Sequence, residues 1–355
     1  MAKTRRKTTR RKTSSSKQQT EEAKQKVERK TQTIIPTQLE KQYVLEDVKG
    51  IGPILARRLR EAGITSVKAL ALTPPRIIAQ ITGLSESRAA ALASAARALL
   101  KMSVITAKQL KEIRLKTPLL TTGCKALDEL LGGGLRQQVI TEFVGPYGSG
   151  KTQICHQLAV TVQLPLSKGG LEGAAIYIDT ENMFSYERIE AIAKRFGLNP
   201  EKTLENIFYV HAVNSDHQIK VVKEEIPEII EENNVRLLIV DSLINHFRAE
   251  YPGRENLAAR QQKLNEHLHD LLRLAETYSL VVVVTNHVLA IPDPMFGQTE
   301  RPAGGHVVAH LAGYRVFVKK LPSGKRKAVI LDAPNLPERE VYFKITDRGV
   351  EDVED

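Results

Sequence analysis

The sequence predicts an α/β protein in three parts. A large core forms around a mostly parallel central sheet, a small all-α domain precedes it, and a disordered basic tail precedes both. Three observations carry this prediction. From Thr121 onward, continuous apolar runs of strand length alternate with helix-like text, as buried parallel strands require. Between residues 39 and 102 the text changes to short amphipathic helices. Residues 1–33 are almost all Lys, Arg, Thr, Ser, Gln and Glu, which bury too little apolar surface to offset the entropy of ordering. The boundaries read as tail 1–38, helical domain 39–102, linker 103–120 and core 121–355.

The charge is unevenly spread. The 355 residues hold 52 Lys+Arg against 41 Asp+Glu, a net charge of +11. Residues 1–30 hold 12 basic and 3 acidic residues, so +9 of that charge sits in the tail and +2 in the other 325 residues. The tail reads either as a polyelectrolyte arm for phosphate backbones or as a solubilising segment. No apolar run reaches membrane-span length; Leu280–Thr285 is strand-sized. The basic N-terminus lacks the apolar stretch of a secretory signal. Cys124 and Cys155 make no disulfide framework and have no metal-site spacing. A reducing, intracellular compartment is therefore the simplest reading. Trp is absent and aromatics are 5%, so any base stacking rests on a few Tyr, Phe or His.

In the small domain, Leu45, Val48, Ile51, Leu55, Leu59 and Ala62 fall near helical spacing. Gly50-Ile51-Gly52-Pro53 interrupts them, and Gly63 closes the next helix. Ile81–Leu84 repeats the turn, and Ser85 caps an Ala-rich helix running to Leu100. The Gly-x-Gly of the first turn can present backbone N–H groups to a phosphate without reading bases, with Lys49, Arg57 and Arg58 adding charge nearby. Helix packing alone is the alternative. In the linker, 103–117 reads as a short charged helix broken by Pro118. In the core, strands are expected at 139–144, 174–179, 207–212, 235–241 and 280–287. Later strands at 314–320, 327–332 and 341–345 lack helices between them and read as an antiparallel extension.

Gly145-Pro146-Tyr147-Gly148-Ser149-Gly150-Lys151-Thr152 fits G-x-x-x-x-G-K-[ST], with a strand before it and a helix over 152–164 after it. Such a loop turns backbone N–H groups around phosphates. Lys151 supplies a charge at the β/γ-phosphates, and the Thr152 hydroxyl can ligate Mg²⁺. Asp241 ends an apolar strand where a second acid would complete the Mg²⁺ shell. Hydrolysis also needs a group to orient water, and Glu181, after the strand 174–179, is the candidate. The alternative for Glu181 is a surface glutamate before the helix 186–196.

Residues 121–355 resemble the RecA-type P-loop ATPase core of the archaeal RadA recombinases. Residues 39–102 resemble that family's helix-hairpin-helix domain. The strings that carry the resemblance are GCKALDELLGGG (123–134), the phosphate loop with Gln153, YIDTE (177–181), HFRAEYPGRENLAARQ (246–261), RPAGGH (301–306) and DAPNLPE (332–338). The resemblance implies a DNA-dependent ATPase and strand-exchange recombinase. It would use ATP, Mg²⁺ and, as in some archaeal relatives, K⁺, bind single- and double-stranded DNA, and self-assemble into a filament or ring, with no membrane. It implies that Lys151 and Thr152 bind ATP and Mg²⁺, and that Asp241 and Glu181 act as second acid and water-positioning group. Arg188 would lie near the adenine. Arg248, Tyr251, Arg254, Arg260 and the Gly304-Gly305 pair would belong to two DNA loops, about 248–260 and 288–305. Gly50 and Gly52 would contact duplex DNA. Asp332 and Pro334 would cap a neighbour's ATP. A solvated helix face is the alternative for Arg254 and Arg260.

Four positions depart from the family pattern. Pro146 stands where an acidic residue is usual and removes one N–H from the cradle. Residues 182–188 read Asn-Met-Phe-Ser-Tyr-Glu-Arg where Gly/Asn-Thr-Phe-Arg-Pro-Glu-Arg is usual. His287 replaces the glutamine that senses the γ-phosphate. Val104-Ile105-Thr106-Ala107 replaces the Phe-x-x-Ala docking motif, so Val104 and Ala107 would mediate a weakened self-assembly. The Pro146, His287 and Val104 changes favour one rival, a paralogue that binds DNA and ATP as a mediator with little turnover. A ring-shaped motor such as a replicative helicase is a weaker rival, because the HFRAEYPGR and RPAGGH strings are not helicase signatures.

Overall fold

The computed structural model describes residues 43–293 and 297–353. The tail predicted over 1–38 and the first four residues of the small domain lie outside the described residues.

The small domain is a 3₁₀ turn, Leu45–Asp47, followed by helices Pro53–Glu61, Val67–Leu72, Pro75–Thr82 and Glu86–Leu99. Its core is aliphatic, with Leu45, Ala56, Leu59, Leu70, Ile78, Ala89 and Ala93 fully buried. Ser66 and Ser85 cap their helices by accepting from the N–H groups of Ala69 and Arg88. The domain rests on the core: Thr65 Oγ1 lies 2.7 Å from the Tyr278 hydroxyl. A Cβ on Gly63 would stand 2.3 Å from the Lys223 carbonyl oxygen, so that close approach requires glycine. The linker forms one helix, Ala107–Lys116, with Thr106 and Gln109 in a reciprocal capping box and no buried residue.

Among its described residues the core carries eleven strands: β1 Ile140–Val144, β2 Ala174–Asp179, β3 Ile207–His211, β4 Val235–Asp241, β5 Val281–Asn286, β6 Val288–Asp293, β7 Gly297–Pro302, β8 Ala312–Lys320, β9 Arg326–Asp332, β10 Glu340–Thr346 and β11 Gly349–Asp352. Nine form one sheet in the order β11-β10-β9-β8-β1-β5-β4-β2-β3, and β6 and β7 form a separate hairpin. Alternate side chains of the central strands enter two helical layers. Phe143, Tyr177, Ile239 and Val283 pack on one face, and Ile178, Leu238, Val240 and Val284 on the other. Both faces are covered, which is why these strands read as unbroken apolar runs.

The structure corrects the sequence reading in three places. The strand at 314–320 does not begin the antiparallel extension: β8 pairs parallel with β1, and antiparallel pairing starts at β8–β9. The helix Gly305–Leu311 makes this possible, because it supplies the crossover that a parallel connection needs. Within the stretch read as the second DNA loop, Val288–Asp293 and Gly297–Pro302 pair as a two-stranded antiparallel ladder with register Val288↔Pro302 to Asp293↔Gly297. The helix after the phosphate loop starts at Lys151 and ends at Thr161. β11 has no counterpart in the prediction. Its four residues are short and half acidic, a text without a strand signal.

Candidate nucleotide site and nucleic-acid interface

The carboxyl ends of β1, β2, β4 and β5 converge on the phosphate loop, where an open parallel sheet binds ligands. Gly145 lies against β8, where a Cβ would stand 2.0 Å from the Val318 carbonyl oxygen. Gly150 turns the chain into the helix at φ 111°, in the left-handed region. Lys151 is buried, and its Nζ donates to the carbonyls of Gly145 at 2.9 Å and Pro146 at 3.0 Å. Burial pulls the amine's pKa down, and Asp241 and Glu181 oppose that pull. Tyr147, Gly148, Gly150, Thr152 and Gln153 line the cleft beside it, which has a volume of about 240 Å³. Ser149 is buried behind the loop, and its hydroxyl finds no partner among the described residues.

Asp241 is buried at the end of β4. Its carboxylate accepts from the hydroxyls of Tyr177 (2.7 Å) and Thr285, and Thr152 lines the same cleft. Burial raises the carboxyl's pKa despite these donors. A buried acid sharing the cleft with the Thr152 hydroxyl fits Mg²⁺, a hard cation that takes one or two protein oxygens and completes its shell with phosphates and water. Among the described residues no group of three or more His, Cys, Asp and Glu could hold a metal by itself.

Glu181 stands half-buried across the cleft. Its Oε1 accepts from Ser242 Oγ at 2.8 Å and lies 2.8 Å from His287 Nε2. The His287 bond, foremost, holds the Glu181 carboxyl below its usual range, and Ser242 adds to this against burial. His287 follows β5 and leads into the β6–β7 hairpin. At the hairpin's other end, the Ala303 N–H donates to the His287 carbonyl at 2.8 Å. Asn286 clips the same point, donating to Glu142 Oε1 and to the Ala303 carbonyl, both at 2.7 Å. The fully buried Glu142 is held in turn by Arg315 Nε at 2.5 Å.

Arg188 is not among the residues lining the cleft. Its guanidinium donates to Gln153 Oε1 and to the carbonyls of Thr346 and Asp347, so it ties the loop's helix to the end of β10. Sequence reasoning missed three residues that do line the cleft: Met183, Arg326 and Ile345. Met183 lies in a segment singled out only as a departure. The other two arrive on distant strands with no local motif to mark them.

The two candidate DNA segments meet. Helix Asn245–Glu250 and the long helix Leu257–Tyr278 flank the turn that carries Tyr251 and Arg254. Arg248 and Arg254 are exposed, while Arg260 is half-buried and donates to the Tyr251 carbonyl at 2.8 Å. Part of Arg260's work is therefore to close this turn. Lys263 Nζ lies 5.1 Å above the Tyr251 ring. Gly304 and Gly305 both have positive φ, and added Cβ atoms would stand 3.2 Å from Ile244 and 3.7 Å from Gln261 of this region. Gly50 and Gly52 are exposed at the small domain's first turn, and Gly50 has φ 99°. Val104 and Ala107 are fully exposed and exposed, respectively, and Asp332 and Pro334 lie exposed at and just beyond the end of β9. A second cavity, of about 490 Å³, separates the small domain from the core, and the phosphate-loop residues take no part in it.

The Rad51 family matches residues 113–353, a span that includes every element of the cleft. The chain belongs to the Rad51 family. Residues 43–98 match the SAM-like helix-hairpin-helix tandem, in agreement with the repeated turns at Gly50 and Gly83. The chain is 48% identical over 310 residues to the DNA repair and recombination protein RadA of Aeropyrum pernix, covering 87% of this chain and 97% of that one. It is also 48% identical over 326 residues to the protein of the same name from Ignicoccus hospitalis, covering 90% and 99%. These relatives extend the Rad51-family likeness through the small domain as well. Among the described residues no helix is long and apolar enough to cross a membrane.

Proposed function

We propose that this chain is a DNA-dependent ATPase and strand-exchange recombinase that acts in homologous recombination and DNA repair as a cytoplasmic, nucleoid-associated filament on single-stranded DNA. The observation that carries this reading is the path Ala303–His287–Glu181. It joins the base of the hairpin read as a DNA segment to the carboxylate beside the phosphate loop. A loop that moves on binding DNA would pull directly on the group that orients water.

In this reading Lys151 exchanges the carbonyls of Gly145 and Pro146 for phosphate oxygens. Thr152 and Asp241 would hold Mg²⁺, which when bound offsets the phosphate charge; K⁺ is a further candidate. Glu181, ionised because its pKa is held down, accepts the hydrogen bond of the attacking water. Tyr251 offers a stacking face, and Arg248 and Arg254 offer charge to a single strand. The tandem turns at Gly50 and Gly83 take duplex backbone. Val104 and Ala107, with Asp332 and Pro334, are the proposed contacts between neighbouring subunits in an open, head-to-tail assembly.

The test is strand exchange with ATP and Mg²⁺. ATP turnover and DNA coating without pairing of homologous strands would sink the reading. A second reading, a mediator that binds ATP with little turnover, draws on the double restraint of Glu181 by His287 and Ser242. ATP turnover unaffected by single-stranded DNA would favour it.

A further inference from the structure

The cleft beside the phosphate loop has a second positive group, contributed by β9. Arg326 is the first residue of that strand, paired with Lys320 on one side and Phe343 on the other. It lines the cleft together with Gly150, Lys151 and Ile345. An added Cβ on Gly150 would stand 3.8 Å from Arg326 Nε, so the guanidinium lies against the phosphate loop itself. One of its donors goes to the Gly324 carbonyl. Its Nε is buried and finds no acceptor among the described residues. No carboxylate among those residues forms an ion pair with it, and burial alone acts on its pKa, lowering it. A partly desolvated cation with a vacant donor and no counter-charge is costly unless an anion completes it.

The phosphate loop has a matching deficit. Pro146 offers no N–H, so its cradle has one donor fewer than the loop length allows. We infer that Arg326 is a phosphate-holding residue of the nucleotide site, reaching from β9 to the phosphates that ATP and ADP share. The topology selects that part of the ligand. Glu181, Asp241 and His287, the groups of the hydrolytic end, come from β2, β4 and β5 on one side of β1. Arg326 and Ile345 come from β9 and β10 on the other side. A guanidinium entering from the second flank grips phosphate without meeting the bond that breaks. This inference rests on the nucleotide-site reading above.

The test measures binding of ATP, ADP and inorganic tripolyphosphate to the full chain by calorimetry, for the wild type, Arg326→Gln, Arg326→Lys and Lys151→Ala. A lost charge-assisted bond predicts that Arg326→Gln weakens ATP and ADP alike by about ten- to a hundredfold. Tripolyphosphate should weaken with them, while the melting temperature without ligand stays at the wild-type value. Arg326→Lys, which keeps the charge, should bind tripolyphosphate more tightly than Arg326→Gln. Wild-type affinity of Arg326→Gln for ADP would overturn the inference. So would loss of ATP binding with tripolyphosphate unaffected, equal affinities of the Lys and Gln variants, or a weakening matched by a fall in ligand-free melting temperature. Lys151→Ala separates the two levels. If it leaves ATP affinity intact, the nucleotide-site reading itself fails; if it abolishes binding while Arg326→Gln does not, only the role of Arg326 fails.

Discussion

His287 Nε2 stands 2.8 Å from Glu181 Oε1, across 106 residues of sequence, and the His287 carbonyl is bonded to the base of the β6–β7 hairpin. One side chain therefore touches the proposed water-orienting carboxylate while its backbone holds the proposed DNA segment. This contact is the strongest restraint on Glu181, and it sets the sign of a pH effect. The folded-state pKa of Glu181 is depressed, so the pair contributes stability above the ordinary glutamate pKa, and that contribution is lost as pH falls through the depressed value.

His287→Ala removes the largest influence that lowers the Glu181 pKa. The acid limb of the ATPase pH profile should move to higher pH, and DNA stimulation of about five- to a hundredfold should disappear. Steady-state rates between pH 4 and pH 8, with and without single-stranded DNA, check both effects. An unmoved acid limb with intact stimulation counts against the coupling role.

Asp241→Asn should separate stability from catalysis. Burial raises the Asp241 carboxyl's pKa, so its ionised form opposes folding at any pH above the ordinary aspartate value. The neutral asparagine removes that cost, and the ligand-free protein should melt at the same or a higher temperature at pH 7. Mg²⁺-dependent ATP turnover should fall by about a hundredfold or more. Calorimetric melting and a Mg²⁺ titration of activity check the pair of outcomes.

Arg315→Met should destabilise the core. Glu142 is fully buried, and its charge is compensated by Arg315 and the Asn286 amide. Removing one partner of a buried ion pair costs about 3–5 kcal/mol. Denaturant unfolding measures this, and the double variant Glu142→Gln with Arg315→Met should recover part of the loss. Because Asn286 is clipped by the same carboxylate, DNA stimulation should fall in the single variant even below its melting temperature.

Removal of residues 1–38 addresses the +11 net charge. With +9 in residues 1–30, the truncated chain should bind DNA more weakly and with a shallower dependence of log affinity on log salt. Strand exchange should persist, because the tail lies outside the family match at 113–353. Filter binding across a salt series, with strand exchange at low salt, tests both parts.

The sequence by itself determined what depends on local pattern. The apolar runs of β1, β2, β4 and β5 identified the buried strands, since both faces of each are covered. The phosphate loop was legible because strand, glycines, lysine and helix are contiguous, and Asp241 because it ends such a strand. Tertiary structure decided whatever depends on partners far apart in the chain. The β6–β7 hairpin was hidden because Pro292, Gly297 and the polar run Gln298–Arg301 read as loop, whereas its ladder is a backbone pairing that polar side chains do not preclude. Arg188 matches a nucleotide-contacting pattern, yet its donors go to Gln153 and to carbonyls at the end of β10, partners that no local spacing reveals. His287 meets Glu181, and Arg326 meets the phosphate loop, only because β5 and β9 stand where they do in the sheet. Strand order is set by long-range pairing and by which faces the helices cover, and neither leaves a trace in the residues next to those side chains.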